Sequence, residues 1–251
     1  MNDFNCLSVV FNFTGSFVLN NQCIIGKGLN VMHVLLQHIK RLEVNPKLCL
    51  QLFNALVGPI LNYGCPIWGF SNSKDIERLH LELCKTLLGA GQSTSNAAVY
   101  GELRRVPLYI NRYVQVIKYW FKVISLENEI VKSVYDNSIL INLRDDSWYI
   151  KVKLLLERYR FYDVWLRPEQ VYVPTFISSF KQRVADVFFY QEWFADLSNN
   201  NVLNIFNVNL KLTFGYESYL FTISAFTTKR YLTRMCISAN RLCINLGRLK
   251  E

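Results

Sequence analysis

The sequence predicts a mainly α protein: a helical bundle followed by a second helical region, with a short N-terminal strand. Three observations carry that reading. Apolar residues recur at spacings of three and four through most of the 251 residues, as on a helix with one face in a core. Prolines and Ser, Thr or Asp residues fall where such runs begin, as helix starts and caps. Hydrophobic residues make up 51% of the chain and charged residues 19%, which suits a packed interior and excludes a disordered chain.

Each element follows in order. "CLSVVFNF" (6–13) reads as one strand closed by Thr14-Gly15, and with no earlier element beside it, its partner is expected upstream of Met1. From Asn20 the period is helical, with Ile24, Ile25, Gly28, Val31, Met32, Leu35, Leu36 and Ile39 on one face until Lys40, Arg41 and Pro46. Between Lys47 and Lys74 no residue is charged. That stretch is long enough to span a bilayer, but Gln51, Asn54 and Asn62 would be costly in lipid and Pro59 would free a carbonyl. The reading is one buried helix with a polar and small stripe of Gln51, Asn54, Gly58 and Asn62. Asp75 to Leu88 is amphipathic, with Ile76, Leu79, Leu83 and Leu87 on one side.

"GAGQSTSN" is a loop whose Ser93, Thr94 and Ser95 offer caps for "NAAVYGELRR". Pro107 opens a helix to about Leu126, and a further helix covers 127–141. Asp146 or Ser147 caps "WYIKVKLLLERYRFYDVW", Pro168 and Pro174 enclose a linker, and a helix spans 176–194. Residues 196–204 are loop-like, 202–224 read equally as strand or helix, and 226–246 read as helical. The organisation expected is a strand segment 1–19, a helical region 20–141 and a second helical region 147–251.

The chain carries 28 Lys and Arg against 19 Asp and Glu, a net charge of +9 that favours a polyanionic partner, nucleic acid before anionic lipid. Seven scattered cysteines without a CxxC, and only three His, favour reduced thiols and give no zinc site. Asp3 stands where a secretory signal needs positive charge, so an intracellular protein, nuclear or cytoplasmic, is expected. Asn12-Phe13-Thr14 fits a glycosylation sequon without that secretory context.

Asp145-Asp146 is the only adjacent carboxylate pair. Metal-assisted phosphoryl transfer would want it on a hairpin between buried strands, whereas here it falls between helical patterns, where capping accounts for both acids. No GxxxxGK[ST] or GxGxxG occurs, and "GKG" at 26–28 lies inside a helical run, where small residues allow close helix packing. No catalytic residue, cofactor, metal site or small-molecule substrate is expected.

Tyr63-Gly64 followed by Trp68-Gly69 resembles the "YG…WG" signature beyond the polymerase core of non-LTR (LINE-type, jockey-like) retrotransposon reverse transcriptases. In the same order, "IERLHLELCKTLLGAGQSTSNAAVYGELRRVPLYINR" (76–112) is similar to a family segment that carries an "AVYGELG-R-PL" run, here with Tyr100, Gly101, Glu102 and Pro107. "FVLNNQCIIGKGLNVMHVL" (17–35) resembles the family's thumb helix, and "CLSVVFNFTGSF" the strand leaving its palm. "KRYLTRMCISANRLCINLGR" (229–248) resembles a late segment of the family, and the likeness is weakest over 140–225. Cys6, Ser8, Arg104, Cys236, Asn240 and Leu249 depart from the usual residues.

The resemblance implies a helical thumb and post-thumb region that holds RNA, an RNA–DNA duplex or target DNA without catalysing. Fingers, palm and catalytic carboxylates would lie upstream of Met1, and a Cys/His knuckle beyond Glu251. The residue types agree in three basic clusters. Lys118, Tyr119 and Lys122 interleave ring and charge with Trp120, so that phosphates meet ammonium groups and a base stacks on a ring, unless the rings face the core. Lys151 and Lys153 lead a second cluster with Arg158 and Arg160. Arg230, Arg234 and Arg241, at spacings of four and seven, form the third and the strongest expected phosphate surface. A transposon remnant without function and a helical protein–protein scaffold are the alternatives.

Overall fold

The strand expected at 6–13 folds back on itself. In the computed structural model, which describes residues 3–42, 45–70, 73–140, 147–195, 220 and 226–237, β1 (Asp3–Cys6) pairs antiparallel with β2 (Val9–Asn12). Leu7 and Ser8 turn the chain at φ of 48° and 64°, the left-handed pair of a two-residue hairpin. The expectation of a single strand partnered from upstream is therefore corrected. The turn stayed hidden because no Gly, Asn or Asp marks the two left-handed positions, which Leu7 and Ser8 occupy with strain. Phe4 stacks on Phe11 across the hairpin at 5.2 Å.

Outside this hairpin the regular structure of the described residues is helical, and the mainly α class holds. The chain clusters into two units, each built from separate segments. One comprises Met1–Phe17, Asn62–Ser73 and Pro107–Val187, the other Val18–Leu61, Lys74–Val106 and Phe188–Glu251. The expected divide near 142–146 lies outside the described residues.

In the second of these units, α1 (Val18–Leu42) buries the predicted stripe, with Ile24, Met32, Leu35, Leu36 and Ile39 in the core. Gly28 permits the closest approach, since a Cβ there would stand 2.7 Å from Cδ2 of Leu61. The uncharged stretch is not one helix. It breaks into α2 (Pro46–Leu56) and α3 (Gly58–Leu61), then continues in the other unit as α4 (Cys65–Trp68). Pro59 has no N–H for the ladder, so Val57 ends α2, and Gln51, Asn54, Gly58 and Asn62 share no continuous helical stripe. Among the described residues, no helix is long and apolar enough to cross a membrane.

The same unit holds α5 (Lys74–Leu88) and α6 (Asn96–Leu103). On α5, Ile76, Leu79, Leu83 and Leu87 are buried as the period predicts, and His80 and Cys84 are buried too. Arg105 Nε donates to His80 Nε2 at 3.1 Å, and Arg105 Nη2 donates to Asn54 Oδ1 at 2.9 Å, tying the loop after α6 to both α5 and α2.

The other unit is organised around α7 (Leu108–Ile124), which packs against α4, α8 (Glu129–Leu140), α9 (Trp148–Arg158) and α11 (Val173–Val187). Pro107 stands at its N-cap position with φ −54° and ψ 147°, an extended backbone that its ring allows. The core is aromatic: Tyr113, Tyr159, Phe161, Phe176 and Phe180 meet edge-on or tilted at 5.2–6.2 Å. The long helix expected over 148–165 breaks at Arg160, whose φ is 64°, before α10 (Tyr162–Leu166). The expected 176–194 helix starts earlier, at Val173, and α11 ends at Val187, while Phe188–Trp193, in the unit that holds α1, takes π geometry. Of the predicted 226–246 helix, α12 (Phe226–Cys236) is described and the remainder lies outside the described residues, as do 196–204.

Candidate nucleic-acid interface

The sequence of α7, "LYINRYVQVIKYWFKVI", holds no acid. Its apolar residues claim one side, so Val116, Ile117, Trp120 and Phe121 enter the core. Helical phase then places Asn111, Gln115, Lys118, Tyr119 and Lys122 together on the exposed face. Lys118 and Lys122 stand one turn apart, and Tyr119, beside them on this face, is 40% exposed. Trp120 is 1% exposed, stacks on Trp165 at 5.4 Å and donates from Nε1 to the Tyr135 hydroxyl at 3.0 Å. The two adjacent rings thus take opposite roles, one core and one surface.

Tyr119 is held from the side. Trp148, at the start of α9, meets it edge-on at 5.9 Å, and Trp148 is fixed by an Nε1 donation to the Pro66 carbonyl at 2.8 Å and an edge contact with Phe70. Lys151 lies one turn along α9 from Trp148 and is half-buried. Lys153, also half-buried, turns elsewhere, its ammonium 5.7 Å from the centre of the Tyr162 ring. Behind the exposed face, the Cys65 thiol donates to Gln115 Oε1 at 3.1 Å. Burial pushes the Cys65 pKa up to about 12, with Arg112 nearby opposing the shift.

The third cluster is placed less openly. Arg234 is half-buried and donates from Nε to the Gly89 carbonyl at 2.7 Å, just past the end of α5. Arg230 sits on α12 but its side chain, like the whole of Arg241, lies outside the described residues. Among the described residues no cluster of His, Cys, Asp and Glu is arranged to hold a metal. Asp145 and Asp146 also lie outside them, while Ser147 occupies the N-cap position of α9 without a side-chain cap bond.

Tyr63, Gly64, Trp68, Gly69, Tyr100, Gly101 and Glu102 make packing and hydrogen-bond contacts within the fold. Trp68 is buried and donates from Nε1 to the Tyr63 carbonyl at 2.9 Å, and the Arg112 guanidinium lies 5.9 Å from its ring centre. The Tyr63 hydroxyl donates to the Leu7 carbonyl at 2.8 Å, anchoring the hairpin. At Gly69 a Cβ would stand 2.5 Å from the Cys65 carbonyl oxygen. Tyr100 is buried with its hydroxyl 3.4 Å from Glu77 Oε2, and burial, then Glu77, drives its pKa upward. Glu102 is buried beside it on α6, and Gly101 lets Trp193 approach so that its Nε1 donates to the Ala97 carbonyl at 2.7 Å.

Gly64 meets two demands at once: its φ is 65°, and a Cβ would stand 2.7 Å from Cγ2 of Val9. Gly64→Ala is expected to cost about 1–3 kcal/mol in urea denaturation, part from the left-handed backbone and part from the clash. Measured in a Val9→Ala background, the cost of Gly64→Ala should shrink to its backbone part.

The thiols offer a check on the fold. Cys6 and Cys23 are exposed, while Cys49, Cys65 and Cys84 are buried, and burial pushes Cys49 up to about 11. Alkylation of the native protein, read by peptide mass spectrometry, is expected to mark Cys6 and Cys23 rapidly. Cys49, Cys65 and Cys84 should react only after denaturation.

Comparisons of the chain with protein-family models, with curated proteins and with solved structures returned no match.

Proposed function

We propose that this chain holds RNA or an RNA–DNA duplex on the exposed face of α7, without itself catalysing, in the manner of the helical region beyond the polymerase core of a non-LTR retrotransposon reverse transcriptase. The observation that carries the reading is the face itself. Two lysines stand exposed one turn apart on a helix with no acid, in a protein of net charge +9. Lysines so placed would neutralise phosphates and release their counterions, so binding is independent of sequence and sensitive to salt. The resemblance of 17–35, 63–69, 76–112 and 229–248 to that family supports the nucleic-acid class.

The test is fluorescence anisotropy with a labelled RNA–DNA duplex across a salt series. Binding that weakens linearly on a log–log plot supports the reading, and absence of binding at low salt ends it. A protein–protein scaffold is the second reading, favoured by Ile130 and Val134, both exposed one turn apart on α8. It predicts a defined oligomer on size-exclusion chromatography and no affinity for the duplex.

A further inference from the structure

Along a duplex the Tyr119 ring finds no unpaired base to stack on. Bases within a duplex are already stacked on each other and offer phosphates, not ring faces, to an approaching helix. The flanking lysines suffice for those phosphates. Single exposed aromatic rings are ordinary on protein surfaces, but Tyr119 differs in two respects. Its orientation is set by Trp148, at an interplanar angle of 85°, and Trp148 is itself locked to Pro66 and Phe70. It also shares the exposed face of α7 with Lys118 and Lys122, which stand one turn apart. A ring fixed before binding, with two cations beside it on the same face, is a platform for one base and the phosphates that flank it.

We propose that Tyr119 receives an unpaired base, so that the α7 face prefers a nucleic acid with a single-stranded extension over a blunt duplex. The inference rests on the nucleic-acid reading and narrows its ligand. Lys118 and Lys122 take the phosphates on either side of the stacked nucleotide, and the edge contact with Trp148 keeps the ring from turning away. Preference among the four bases is expected to be weak, because each has a face to stack.

The experiment compares a blunt RNA–DNA hybrid with the same hybrid carrying a short oligouridine extension, at fixed salt. The extension is expected to tighten binding by about five- to 100-fold. Tyr119→Phe should keep that gain, while Tyr119→Ala and Tyr119→Leu should lose it. The leucine variant retains apolar bulk against Trp148, and circular dichroism checks that each variant folds. Equal affinity for the two ligands, or a gain that survives in the leucine variant, would overturn this inference while lysine-dependent binding of the blunt hybrid left the holding function standing. No binding of either ligand would remove both.

Discussion

Replacing Trp120 by alanine is expected to cost about 3–5 kcal/mol, enough to unfold much of the unit built around α7. The side chain is buried, stacks on Trp165, meets Phe121 at 4.8 Å and donates to Tyr135 on α8. Alanine removes the ring from all three contacts and leaves the half-buried Tyr135 hydroxyl without that donor. Trp120→Phe keeps most of the apolar area and should recover more than half of the loss. Far-UV circular dichroism in a urea titration would read the difference. A midpoint for the alanine variant equal to that of the parent would mean that the ring is not in the core.

The second large effect concerns binding. Converting both Lys118 and Lys122 to glutamine should lower affinity for an RNA–DNA duplex by on the order of tenfold per lysine near 0.1 M salt, and flatten the salt slope by about 2. Both side chains are exposed, so stability should change by no more than about 0.5 kcal/mol. Affinity and folding are thereby separated: the double variant melts as the parent does and binds worse. Arg234 makes a contrast, because its Nε is engaged with the Gly89 carbonyl. Arg234→Ala should reduce stability and leave the salt slope close to that of the parent. An unchanged slope in the lysine variant would mean that the phosphates are met elsewhere.

How much of this was legible before the fold depends on the range of the signal. The α1 stripe and the α7 start at Pro107 are local, written in helical period and proline stereochemistry, and both stand. Local chemistry failed where tertiary packing chose an uncommon backbone. Leu7-Ser8 and Arg160 take left-handed φ with no glycine to announce it. The π turn at Phe188–Trp193 follows a run whose apolar spacing still suits an α-helix.

The candidate site divides in the same way. The opposite fates of Tyr119 and Trp120 follow from helical phase once Val116, Ile117 and Phe121 are assigned to the core. The Trp148 brace does not, since it comes from α9, nor does the engagement of Arg234 by Gly89, since both depend on elements far apart in the chain.

The central claim is that nucleic acid lies on the exposed face of α7. Photocrosslinking of a bromouridine-substituted RNA, followed by mass spectrometry of the modified peptides, tests it most directly. Crosslinks are predicted at Tyr119, with a weaker set at Trp148, and should diminish in the Lys118→Gln/Lys122→Gln variant. Crosslinks confined to other elements, or a Tyr119 signal indifferent to those lysines, would contradict it.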